Sequence, residues 1–112
     1  MQLLLIVLNK VELLDPLLKR LLDEELCGGT ILSSTGMLRE LARSTEDLPL
    51  FGALRLHLNP NRKESKTILL ALDETKTERA KEIVRDVIGD LSKPDTAVMF
   101  TLPILSAEGV EF

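Results

Sequence analysis

The sequence predicts an α+β fold in which two helices pack on one face of a four-stranded antiparallel sheet. Its 112 residues are the size of one domain. Four apolar runs of strand length alternate with two segments whose apolar residues recur at helical spacing. The resulting order, β-α-β, a long loop, then β-α-β, is that of two right-handed units joined into a ferredoxin-like βαββαβ sandwich. We therefore expect a single domain spanning residues 1–112.

The first unit contains a strand and a leucine-rich helix. Residues 2–8 are continuously apolar, which predicts a strand buried on both faces. Asp15 as a cap and Pro16 at the first helical position predict the start of the helix. We expect the helix to end near residues 26–28. The leucines at helical spacing, which predict its buried face, are Leu17, Leu18, Leu21, Leu22 and Leu26.

The segment from Cys27 to Leu38 predicts a turn, a second strand and an exit from the sheet. Gly28 and Gly29 can take positive φ angles or permit close backbone approach. The second strand is expected from about residue 29 to residue 35, and Gly36 can then break the pleat. We interpret the hydroxyl side chains of this segment as strand and turn residues, and contact with a ligand stays open; they are Ser33, Ser34 and Thr35.

The loop at about residues 36–66 is too long for an ordinary connection inside a small domain, and loops of this length are usually either functional or disordered. Residues 37–42 are compatible with a helical turn, and residues 54–58 alternate weakly like a strand. Two interpretations of Phe51 and its apolar neighbours stay open. They fill the domain's own core, or they contact another subunit or a partner protein.

The second unit repeats the pattern. Residues 67–72 predict the third strand, and Thr75 with Glu78 predicts a capping box at the start of the second helix. That helix is expected to stop at Gly89, and residues 97–103 predict the fourth strand. Its buried stripe comprises Ala80, Ile83, Val84, Val87 and Ile88. The tail after Pro103 is expected either to form an edge strand or to lie over a neighbouring molecule.

Two helices cover only one face of such a sheet. Continuous apolar strands would then expose a large patch on the other face, which monomeric proteins rarely tolerate. We therefore expect an oligomer in which sheet faces bury one another.

Composition excludes several classes of function. A net charge of −4 and a pI near 5.0 argue against binding nucleic acid through phosphate neutralisation. The absence of Trp and Tyr argues against base stacking on an aromatic sheet. A local basic cluster remains, either as a binding patch or as a solvated loop, and it consists of Arg55, Arg62, Lys63 and Lys66.

Candidate catalytic and metal-binding residues are sparse. A single cysteine, Cys27, cannot form an internal disulfide and fits a reducing, cytoplasmic location, where we expect a buried thiol. Cys27 and His57 alone do not make a zinc site. The serines lack a base that would activate a nucleophile, so we expect no enzymatic activity. The apolar opening is too short to span a bilayer, so no membrane insertion is expected.

The chain resembles the P-II nitrogen-regulatory (PII-like) superfamily. The resemblance rests on residues 28–31 leading to Gly36, on the long loop that follows in the place of the family's T-loop, and on residues 88–90. Residues 100–104 match a family strand that ends in a similar proline and aliphatic pair. The resemblance covers the whole chain and implies a homotrimer that holds ligands between subunits. It also implies a signalling role, in which the loop at 36–66 meets a regulated protein.

The resemblance implies an adenine nucleotide as the ligand and points to a set of binding residues. Thr30 matches the strand hydroxyl that lines the adenine pocket. Gly36, followed by Met37, matches the glycine at which the backbone approaches the nucleotide. Gly89 and Asp90 match part of the turn around the phosphates.

The chain also departs from the family pattern. Leu38 and Leu91 occupy positions where the family has glycines, and no Lys or Arg follows Lys93. Each missing charge-assisted contact is worth about 1.5–3 kcal/mol, so tight ATP binding by the usual scheme is not expected. The lack of tyrosine excludes tyrosine uridylylation. Two alternatives stay open: a non-nucleotide trimer that serves metal tolerance or amino-acid sensing, and a structural adaptor subunit.

Overall fold

The computed structural model describes residues 1–44 and 64–110. The expectations for Phe51, His57, Arg55, Arg62 and Lys63, and for residues 54–58, lie outside these ranges. Within them the elements are β1 (Gln2–Leu8), α1 (Leu14–Asp23), β2 (Thr30–Ser34), α2 (Met37–Ser44), β3 (Ser65–Leu72), α3 (Glu74–Ile88) and β4 (Ala97–Pro103).

The four strands form one antiparallel sheet in the order β2-β3-β1-β4. Ile6 at the centre of β1 lies opposite Ile68 of β3 on one side and Met99 of β4 on the other. Helices α1 and α3 contact each other on the sheet. This arrangement confirms the ferredoxin-like fold predicted from the sequence.

The register divides the sheet into a helix-covered face and an open face. On the helix-covered face, Leu4, Ile6 and Leu8 of β1 are completely buried, together with Ile68 and Leu70 of β3. Their neighbours along β1 point the other way and are only half-buried. Within a single chain β1 is therefore buried on one face only, because no helix in the described ranges covers the second face. Burial on both faces stays a prediction that depends on the expected oligomer.

The core fills the space between the two helices and the covered face. Leu17 and Leu21 of α1 meet Ala80, Ile83 and Val84 of α3, and all are buried. Leu22, which the spacing assigns to the same stripe, is instead 60% exposed. The helix thus buries a narrower apolar stripe than its leucine content predicts.

Helix α1 begins differently from the expectation. A 3₁₀ turn over Val11–Leu13 leads directly into the helix, and neither the turn nor the helix has a side-chain cap. Asp15 and Pro16 therefore lie inside the first turn and not at its boundary. Proline is tolerated there because the first N–H groups of a helix have no partner within the helix.

Helix α1 also ends earlier than expected. After Asp23, the N–H of Glu25 donates to the carbonyl of Leu22, and the N–H of Leu26 donates to that of Leu21. This is a Schellman motif with Glu25, at φ 60°, in the position that glycine usually takes. The sequence predicted that the helix ends at residues 26–28 because Gly28 and Gly29 lie there. This prediction was wrong because Glu25 takes the conformation that glycine usually adopts.

Helix α3 is capped by Asp73, whose Oδ1 accepts a hydrogen bond from the N–H of Lys76 at 2.9 Å. The predicted capping box of Thr75 and Glu78 is therefore wrong. Thr75 and Glu78 both lie inside the helix, because the cap is Asp73, two residues before Thr75. The end of the helix at Gly89 is confirmed.

The remaining differences concern the start of β3 and the segments beside β2. β3 begins two residues earlier than predicted, at Ser65. The segment after Gly36, where a helical turn was expected, is a helix that reaches Ser44. Neither Gly28 nor Gly29 takes a positive φ, but Gly29 shows the close backbone approach that was the alternative, since a Cβ there would lie 3.1 Å from the Leu69 carbonyl oxygen. In the described part of the tail the chain forms no further strand.

The contrast between Leu21 and Leu22 provides a matched test of the core. Leu21→Ala removes a side chain that is 2% exposed and is expected to lower the free energy of unfolding by about 2–5 kcal/mol. Leu22→Ala is the control on the same helix, and it should cost less than about 1 kcal/mol. Urea unfolding of both variants measures the difference, and equal losses would contradict this packing.

Candidate functional site

The five predicted ligand-binding residues lie in three places. Thr30 is the first residue of the edge strand β2. Gly36 and Met37 lie where the chain passes from β2 into α2. Gly89 and Asp90 follow the end of α3 and lead towards the opposite edge strand, β4.

Strand direction determines how these places relate to one another. β2 runs antiparallel to β3, and β3 to β1, so Gly36 lies at the sheet end where β1 finishes and β4 begins. Gly89 precedes β4 and lies at that end too. Thr30 is at the opposite end of β2. The two edge strands are three strand spacings apart, or roughly 14 Å.

Within one subunit, Gly36 and Met37 share a sheet end with Gly89 and Asp90 but follow a different element. The first pair follows the edge strand β2, and the second pair follows helix α3. The structure thus brings the two pairs to one end of the sheet and leaves Thr30 at the other end of β2.

The backbone at Gly36 is accessible. A Cβ atom built on Gly36 meets nothing within 4 Å, and the Met37 side chain is 79% exposed. Leu38 and Leu41 of the same helix are also exposed. This corner offers an open backbone surface beside apolar side chains.

The turn after α3 is fixed by its own hydrogen bonds. Gly89 has a φ of 92°, a conformation that L side chains rarely adopt. The Asp90 carboxylate accepts from the Ser92 hydroxyl at 2.6 Å and from the Ser92 N–H at 2.9 Å. These bonds stabilise the charged carboxylate and lower the pKa of Asp90 below its ordinary value.

This turn is electrostatically unfavourable for a phosphate. The ionised Asp90 adds negative charge where the C-terminal end of α3 already carries a partial negative charge. Lys93 is the nearest cation along the chain. The turn therefore favours a cationic or neutral group, and a phosphate placed there needs positive charge from elsewhere.

A hydroxyl cluster on the open face, which we define as Ser34, Ser65 and Thr67, was not predicted as a unit. Ser34 Oγ lies 2.8 Å from both Ser65 Oγ and Thr67 Oγ1, and Ser65 Oγ donates to the Ser34 carbonyl at 3.2 Å. In each of the two Ser34 contacts either hydroxyl is able to donate, so the three side chains form one hydrogen-bonded cluster.

The cluster forms because Ser34 pairs directly with Ser65, while Thr67 is one pleat further along β3 on the same face. The sequence signal that could have indicated it is the alternation of hydroxyls at the start of β3. That signal becomes readable only once the register with β2 is known.

Two other sequence interpretations change with the structure. Cys27 is exposed, which contradicts the expected buried thiol. Lys66 contacts Ser33 Oγ at 2.8 Å and Glu64 at 3.3 Å, so its charge is partly balanced within the chain.

Metal and membrane sites are not found in the described ranges. Residues 1–44 and 64–110 contain no group of three His, Cys, Asp or Glu side chains arranged to hold a metal ion. No helix in the same ranges is both long enough and apolar enough to cross a membrane.

Comparison with known proteins gives the fold alone. No family model matches the sequence, and no curated protein matches it. Among solved structures, a functionally unknown protein from Pediococcus pentosaceus ATCC 25745 superposes with a TM-score of 0.63. The two chains are 14% identical, and the match covers 96% of this chain and 94% of the other.

The Asp90 turn gives a pH-dependent prediction. Ser92→Ala removes the hydroxyl that stabilises the carboxylate most, so the pKa of Asp90 should rise towards its ordinary value. A depressed folded pKa adds stability above the unfolded pKa, and this stability is lost as pH falls through the folded value. The variant should therefore show a smaller loss of stability between neutral and acidic pH than the native chain.

NMR titration of the Asp90 carboxyl carbon measures this pKa directly. Ser106→Ala, in the tail after β4, is the control and should leave the titration unchanged. An unchanged Asp90 titration in Ser92→Ala would show that Ser92 does not set the charge of the turn.

Proposed function

We propose that this chain is a PII-like homotrimeric signalling protein that binds a small ligand between subunits and acts on a partner protein through the segment at 36–66. The observation that carries the proposal is the open face of the sheet. Its apolar side chains extend over all four strands, and burial against further copies of the chain removes them from water.

The open face is most exposed along its edges. Phe100 is 53% exposed, Val98 45% and Leu102 43% on β4, while Leu32 is 48% exposed on β2. Half-buried apolar residues fill the strands between them and comprise Leu3, Leu5, Val7, Leu69 and Ala71. A continuous apolar surface of this kind is typical of a subunit interface.

A closed ring of subunits also completes the ligand site. In a ring built from one repeated contact, two different patches of each subunit meet. Our proposal places Gly36 and Met37 of one subunit beside Gly89 and Asp90 of its neighbour, so that the cleft between the subunits uses both pairs.

The ligand that the family resemblance favours is an adenine nucleotide. A second candidate is a ligand with a cationic group, such as an amino acid, as in a sensing module of the same architecture. The observation that favours it is the ionised Asp90 in the turn. The proposal includes both because both use the same cleft.

The assembly is tested by light scattering after gel filtration. We expect the native chain to elute as a trimer and Phe100→Asp to elute as a smaller species, because a carboxylate in an apolar interface is strongly unfavourable. Leu105→Asp is the matched control. Leu105 is 97% exposed but follows β4 outside the sheet, so this variant should stay trimeric. A native chain that is monomeric at high concentration would overturn the proposed assembly.

Ligand binding is tested by thermal unfolding with ATP, ADP, AMP and a panel of amino acids. A ligand that binds the native state raises the melting temperature. We expect either the nucleotides or the amino acids to raise the melting temperature of the native chain. Gly36→Val should reduce this rise, because the added side chain occupies the proposed cleft. The variant should stay trimeric, since a side chain at Gly36 meets no other atom of the chain. Gly28→Val, which also meets open space but lies before β2, is the control. A flat response to the whole panel would contradict ligand sensing and leave the adaptor role.

A further inference from the structure

We propose a second binding site, separate from the intersubunit cleft, that takes a small hydrophobic molecule whose polar end is neutral or cationic. The site is an apolar pocket on the helix-covered side of the sheet, between the end of α1 and the edge strand β2. It does not depend on the proposed function, because it is formed by a single chain.

The pocket has a volume of about 260 Å³. Its walls come from α1, from the connection to β2, and from strands β2 and β3. The lining residues are Leu18, Leu21, Leu22, Leu26, Cys27, Gly29, Ile31, Ile68 and Leu70.

Local structure explains why this space is unfilled. The Schellman motif ends α1 at Asp23, so no further helical turn covers the beginning of β2. Gly29, just before β2, contributes no side chain. A Cβ atom there would lie 2.7 Å from Leu70 Cδ2 and 3.1 Å from the Leu69 carbonyl oxygen, so a larger residue does not fit. The pocket is thus a consequence of backbone geometry at this corner.

The size and lining determine the class of ligand. An apolar cavity of about 150 Å³ is enough to bind benzene, so this pocket has room for a ring with a short substituent or for a short alkyl chain. Apart from Cys27, the lining side chains are aliphatic. A polar group inside would lose its hydrogen bonds to water without replacement, so the polar end of the ligand has to stay at the mouth.

Three acidic residues follow the lining residue Leu22 along the chain, and we place their charges near the mouth of the pocket. They are Asp23, Glu24 and Glu25, which precede the lining residue Leu26. Glu24 pairs with a basic residue of α3 at 2.6 Å, whereas no basic residue follows Asp23 or Glu25 along this connection. Like charges repel, so a carboxylate at the mouth is disfavoured relative to an alcohol or an ammonium group.

Arg79 is the basic residue that faces this connection. Its hydrogen bonds to Glu24 and to Glu82, on α3, raise its pKa above the ordinary value. The guanidinium is thus shared by two carboxylates and does not offset the remaining acidic side chains.

Three probes with the same alkyl chain test the proposal: 1-hexanol, hexylammonium and hexanoate. Binding is followed by methyl NMR of the native chain and by the rate at which iodoacetamide alkylates Cys27. We expect the alcohol and the ammonium to shift the methyl signals of Leu22, Ile31 and Ile68 and to slow alkylation. Hexanoate should bind about tenfold more weakly, a difference that titration resolves easily.

A pair of neighbouring substitutions then locates the site. Ile31 and Leu32 are adjacent in β2 and point to opposite faces of the sheet. Ile31→Phe fills the pocket and should weaken hexanol binding about tenfold, whereas Leu32→Phe on the open face should leave it unchanged.

Three results would overturn the proposal. The first is the absence of methyl shifts and of Cys27 protection in the native chain at saturating hexanol. The second is shifts confined to the open face, at Leu32 and Phe100. The third is hexanoate binding as tightly as hexanol, which would contradict the charge selection. The native-chain measurements decide the proposal even if Ile31→Phe fails to fold.

Discussion

A β-sheet has two faces, and in this chain only one of them is covered. Leu4, Ile6 and Leu70 on the covered face are buried by two helices, and this packing stabilises the fold. Leu5, opposite Phe100 in the register, belongs to the other face. Because burial of apolar area is the main favourable contribution to folding and association, the second face is the feature on which the proposed assembly depends.

The hydroxyl cluster determines how polar that second face is. Ser65 is only 5% exposed, and each of the three hydroxyls has a hydrogen-bond partner within the cluster. Covering these residues with another subunit therefore leaves each hydroxyl with at least one hydrogen bond. Polar residues near the Gly36 end of the sheet are thus compatible with an interface.

The sequence predicted the elements well where periodicity is strong. The bounds of β4 match the apolar run at 97–103, and most of the buried stripe of α3 follows from helical spacing. Within that stripe the sequence missed Thr77, which is completely buried, and included Val87, which is only half-buried. Helix ends were less predictable. Glu25 takes a glycine-like conformation, and Asp73 supplies the cap in place of Thr75, since several nearby residues can satisfy the same N–H groups. The candidate site needed still more, because only the strand order shows that Gly36 and the turn at Gly89 lie at the same end of the sheet.

The central claim is that the open face is buried in the native protein, and solvent accessibility of its methyl groups tests this most directly. A water-soluble paramagnetic probe broadens the NMR signals of exposed methyls. The account predicts that Leu5, Leu69 and Leu102 are protected nearly as well as Leu4 and Leu70, while Leu105 is broadened. If the open-face methyls broaden as strongly as Leu105, the face is in water and the proposed assembly is wrong.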